Sequence, residues 1–186
     1  MPKVAISLSR DMLEALSRGG ASPGERLKEL ATLYVERTTR AQERGRAVAD
    51  ALREAQRRFE MIYKDFERDD LTSLQGNLAS LMGLLEAAAT MAMSLPLTKG
   101  ESLFLDMLKK DLEAVEARMK GYPPLLVAAS AIPLARASMH YLMSLLMDLA
   151  IELRDVGAAD KSLELLDSLM KVTEGHGLPG RGLRAA

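Results

Sequence analysis

From Glu25 to Arg68 the chain carries no proline and a single glycine, Gly45. Nothing in that stretch obliges the backbone to leave a helix, which would run ~65 Å at 1.5 Å per residue. A helix that long draws most of its stability from a buried apolar face. The candidate face is Leu27, Leu30, Tyr34, Thr38, Ala41, Gly45, Val48, Leu52, Ala55, Phe59, Ile62 and Phe66, spaced by threes and fours with one stutter. This is the repeat of about 3.5 residues that builds coiled coils and long helical hairpins. Thr38, Ala41 and Gly45 are small enough to let a partner helix come close.

The rest of the chain supplies such partners. Asp69-Asp70 marks a break, and the next helix carries Leu71, Leu74, Leu78, Leu81, Leu85, Ala88, Ala92 and Leu95 before ending near Pro96. An antiparallel return along the first helix is the natural packing. A third helix from about Glu101 to Lys120 presents Phe104, Leu108, Leu112, Val115 and Met119 and stops at Gly121-Tyr122-Pro123-Pro124. A very apolar stretch follows from Leu125 to Val156, with an interruption expected at Pro133. Asp160 is placed to cap a last helix bearing Leu163, Leu166, Leu169 and Met170, and the glycine-rich tail from Glu174 reads as flexible. Apolar residues make up 48% of the 186 and charged residues 27%, enough to bury a core. The most apolar run, Met139 to Leu153, contains Asp148 and Glu152, so it reads as a buried helix and not a membrane span. No sequence repeat of solenoid length is present.

Upstream of the long helix the pattern changes. Val4, Ile6 and Leu8 alternate with Lys3, Ala5 and Ser7, the period of a half-buried strand. A lone strand leaves its backbone groups unpaired, and the simplest partner is its own copy in a second subunit. Ser9 is placed to cap a short helix from Arg10 with Met12, Leu13 and Leu16 on one face, ended by Gly19-Gly20. Ser22-Pro23-Gly24-Glu25 then carries a full capping-box signal for the long helix.

This N-terminal unit resembles the ribbon-helix-helix family of DNA-binding proteins. The matching residues are the strand from Val4 to Ser9, the helix from Arg10 to Leu16, the turn Gly20-Ala21-Ser22 and the apolar set Leu27, Leu30, Ala31, Tyr34 and Val35, about a fifth of the chain. The resemblance implies that strands of two subunits pair antiparallel and enter the major groove, with the start of the second helix on phosphate. Val4, Ile6 and Leu8 would then face the helices, and Lys3, Ala5 and Ser7 the base edges, where Lys donates to guanine, Ser donates or accepts, and Ala touches a thymine methyl. The amides around Ser22 and Gly24, with Arg26 beside them, would form the phosphate site, although Glu25 opposes an anion there.

Charge points the same way: residues 1–60 hold 12 Lys/Arg against 9 Asp/Glu, net +3, within a chain of net −1. A solvated helix face accounts for the arginines from Arg37 to Arg58 equally well. Two other architectures fit the N-terminal segment. A helix-turn-helix variant would use the Leu16 to Leu27 region but give the strand no task, and a plain helical bundle would carry residues 3–9 as an extended arm.

Several chemistries lack residues. There is no cysteine, hence no disulfide, thiolate metal site or cysteine nucleophile, and only two histidines. Tryptophan is absent, which disfavours stacking platforms for single strands. No phosphate loop, dinucleotide loop or Ser-His-Asp set is present. His140, among Met139, Tyr141 and Leu142, reads as a core histidine. Met91, Met93, Met107, Met119, Met139, Met143, Met147 and Met170 follow helical spacing as core filler, and they would also suit a pocket for a small hydrophobic effector.

The expectation is a mainly α protein of three parts: a ribbon-helix-helix unit over 1–38, a helical bundle or coiled coil over 39–173 for oligomerisation or sensing, and a tail over 174–186. It is expected to be a cytoplasmic homodimer or higher oligomer that binds double-stranded DNA as a transcriptional regulator. No enzyme activity, cofactor, metal or membrane is expected. The alternative is a helical adaptor that does not bind DNA. One Asn, three Gln and no Cys fit a thermophilic source.

Overall fold

A computed structural model describes residues 9–17, 22–153 and 156–175. All regular structure among them is helical, in six helices: α1 (Arg10–Ser17), α2 (Pro23–Arg68), α3 (Leu71–Ala92), α4 (Lys99–Met119), α5 (Pro124–Glu152) and α6 (Val156–Gly175). The expected strand at residues 4–8 lies outside the described residues. The chain divides into two compact units, Met1–Arg40 and Ala41–Ala186, with the boundary inside α2.

The second unit is an up-and-down array. α2 stops at Asp69, which takes φ of 55°, a left-handed conformation that Asp tolerates better than most residues. The Asp70 amide then reaches back to the Asp65 carbonyl at 3.0 Å. Asp70 itself caps α3, accepting the Ser73 amide at 3.0 Å. α3 returns antiparallel along α2. Near the turn Asn77 Nδ2 donates to Asp65 Oδ2 at 2.7 Å, and at the far end Arg44 Nη1 donates to the Ser94 carbonyl at 2.6 Å. α4 packs on α3, α5 on both α3 and α4, and α6 on α5.

The core follows the threes and fours of the sequence. From α2 it takes Ala41, Gly45, Val48, Leu52, Ala55, Phe59 and Ile62, all buried, with Phe66 packed against them. α3 contributes Leu74, Leu78, Leu81, Leu85, Ala88 and Ala92, while Leu71 is exposed. Phe59 and Tyr63 meet edge to face at 5.4 Å. Polar groups in this interior are paired: Asn77 bridges Asp65 and Arg58, and Gln56 Nε2 donates to Ser168 Oγ on α6 at 2.6 Å. No buried side-chain polar atom among the described residues lacks a partner.

Several sequence expectations are corrected. α5 does not break at Pro133 but runs through it. Pro133 and Ala129, whose carbonyl loses its donor, both lie on the exposed side, where water can take the vacated acceptor. α4 starts at Lys99, not Glu101, because Thr98 and Glu101 close a reciprocal capping box. Its inward row is Leu105, Leu108, Leu112, Val115 and Met119. Phe104 is 47% exposed and lies over Tyr141 at 4.2 Å between ring centroids. α6 begins at Val156, so Asp160 lies inside it. Leu163 is exposed while Ser162 is buried and Leu165 packs on the core. The side chains of Leu166, Leu169 and Met170 lie outside the described ones. α6 extends to Gly175, past the expected start of the tail at Glu174.

α5 is long and apolar enough to cross a membrane. Thirteen of its 29 residues are buried against the other helices, from Val127 to Ala150.

Candidate nucleic-acid interface

The site expected from sequence has two halves. Lys3, Ala5 and Ser7, the base-reading face of the strand, lie outside the described residues. Ser22, Gly24 and Arg26 lie at the start of α2, the helix that follows α1 in the chain.

Both helix starts form as their cap residues dictate. The Ser9 hydroxyl accepts the Met12 amide at 3.3 Å and the Ser9 carbonyl the Leu13 amide at 3.0 Å, which sets α1 going at Arg10. At α2 the Glu25 amide donates to Ser22 Oγ at 3.3 Å. In return the Ser22 amide and hydroxyl donate to Glu25 Oε2 at 3.1 and 2.9 Å. These hydrogen bonds hold the Glu25 carboxyl below the ordinary glutamate range.

That geometry bears on anion binding. Four amide positions open a helix without internal partners, and together with the helix dipole they attract phosphate. Here Pro23 has no N–H, the Glu25 amide serves Ser22, and the Ser22 amide serves Glu25. The Arg26 amide already donates to the Ser22 carbonyl at 3.0 Å. At Gly24 nothing stands within 4 Å of where a Cβ would be. The Arg26 guanidinium pairs with Glu29 at 3.2 Å, with both side chains well exposed, an arrangement that a phosphate can displace at little cost. Ser22, Gly24 and Arg26 thus share the first turn of α2, with the Glu25 carboxylate already seated among them.

The apolar residues nearby are not buried within one chain. α1 has no buried residue at all, with Met12 55% and Leu13 42% exposed. On α2, Leu30, Leu33, Tyr34 and Val35 are exposed, Tyr34 to 66%. Leu30 and Tyr34 continue the core face of α2 toward its N-terminus, yet burial begins only at Ala41.

His140 is half-buried on α5, and burial together with the nearby Arg136 charge pushes its pKa down. No cluster of three His, Asp or Glu residues suited to a metal ion occurs among the described residues. Of the methionines, Met82, Met119, Met139 and Met143 are core, while Met93 and Met107 are exposed. The chain matches no known family model, no curated protein and no solved structure.

Proposed function

We propose that the chain is a homodimeric, sequence-specific binder of double-stranded DNA, a transcriptional regulator whose N-terminal ribbon enters the major groove. The observation that carries this reading is the exposed apolar face of unit 1. Met12, Leu13, Leu30, Tyr34 and Val35 are all exposed in a single chain, and on this reading a second copy covers them. An alternating strand with no partner in its own sequence, and the net positive charge of residues 1–60, support it further.

One observation favours a second reading, a helical adaptor in which unit 1 only dimerises: the Glu25 carboxylate already accepts the Ser22 amide and hydroxyl at the turn that would hold phosphate. Titration of labelled duplex at two salt concentrations separates the two. The DNA-binding reading expects affinity that falls steeply with salt, and Lys3→Ala expected to weaken binding and reduce the salt slope by about one. An absence of binding at low salt gives the protein to the adaptor reading. Equal curves for wild type and Lys3→Ala remove the ribbon from the interface.

A further inference from the structure

We propose that the cleft between α2, α5 and α6 is a binding site for a small anionic amphiphile, a medium-length aliphatic chain ending in a carboxylate. The cleft lies wholly within the second unit and has a volume of about 330 Å³. On the α2 side it is lined by Gly45 and, one turn on, Ala49. Opposite them are Leu149, Ala150 and, from α6, Leu165, which make the floor apolar. The floor is closed tightly at one point: a Cβ on Gly45 would stand 3.2 Å from Leu149 Cδ2.

The rim differs from the floor. Arg46, Arg53 and Lys161 surround the mouth against one carboxylate, Asp50, and that carboxylate is paired with Arg53. Neither Arg46 nor Lys161 forms an ion pair or side-chain hydrogen bond with the described residues. An apolar floor below two uncommitted cations is complementary to a ligand with a hydrocarbon body and one negative end.

Size narrows the class. At about 330 Å³ the cleft stands at the small end of the range that small-molecule sites occupy. The methionines are not part of this wall, so the small hydrophobic effector that they suggested in the sequence finds its place among leucine and alanine instead.

The site is independent of the DNA-binding reading and is tested without DNA. Calorimetric titration of the full chain with octanoate should give saturable binding of one ligand per chain, and octanol should bind more weakly by about tenfold, the loss of one charge-assisted contact. The double variant Arg46→Gln, Lys161→Gln changes two exposed side chains and should lower octanoate affinity to that of octanol while leaving octanol unchanged. Ala49→Leu fills the floor and should abolish both. A melting curve like that of wild type shows the variant folded, and if it does not fold, the rim variant decides. No saturable heat with octanoate, equal affinity for octanoate and octanol, or unchanged binding in the rim variant overturns the proposal.

Discussion

Asp69 ends the longest helix with a left-handed backbone that costs a residue with a Cβ roughly 1 kcal/mol. Asp69→Gly is therefore expected to raise stability by up to about 1 kcal/mol, and Asp69→Val to lower it, in denaturant unfolding. Eight residues on, Asn77 is the only asparagine in the chain and is buried, with its amide on Asp65 and its carbonyl on Arg58. Asn77→Ala strands the Asp65 carboxylate and should cost about 1–3 kcal/mol, whereas a surface change such as Asn77's neighbour Gly76→Ala, open on all sides, should not destabilise. Phe59, fully buried, was legible as core from its place in the repeat, and Phe59→Ala should cost about 3–5 kcal/mol. Asn77 was legible only as a scarce residue, because its role depends on which residue of another helix stands opposite.

Among the elements, those with strong end signals form where the sequence puts them. Ser9, Ser22 and Asp70 each cap the helix that follows. The same Ser/Thr-x-x-Glu signal is present at Thr98 and Glu101, and it starts α4 two residues earlier than the apolar spacing suggests. Where apolar residues are adjacent, spacing alone does not choose a register. Leu103, Phe104 and Leu105 offer three, and packing against α3 and α5 selects Leu105, leaving Phe104 to cover Tyr141. The Glu101 carboxyl is held below its ordinary range by the Thr98 hydrogen bonds. A carboxyl with a lowered folded pKa contributes stability above its unfolded value, and that contribution disappears as the pH falls through the folded one. The melting-temperature gap between wild type and Glu101→Gln should therefore be widest at neutral pH and narrow as the pH falls through the lowered Glu101 pKa. A gap independent of pH would mean that the charge plays no part in the cap. The Glu25 carboxylate makes the corresponding box at α2, in the place a phosphate would take, so Glu25→Gln should tighten DNA binding if that turn grips the backbone.

For the whole molecule, the helical bundle was legible because threes and fours persist from Ala41 through α3 with few interruptions. The cleft over Gly45 was not, since it depends on small residues of α2 meeting α5 and α6 across some hundred residues of sequence. The same repeat reads continuously back to Leu27, yet burial stops at Ala41. Sequence spacing marks a face as apolar without saying whether its cover comes from the same chain. On the proposed reading the cover for Leu30, Tyr34 and Val35 is a second copy, and Ile6→Asp, which puts a charge in the ribbon core, should lose the dimer and several kcal/mol of stability. The most direct measurement is the sedimenting mass of a labelled duplex mixed with the 20.3 kDa chain at low salt. The prediction is a duplex carrying two wild-type chains that is released as salt rises, and a duplex left bare by Ile6→Asp. A duplex that sediments unchanged with wild type, or one that carries Ile6→Asp as readily, contradicts it.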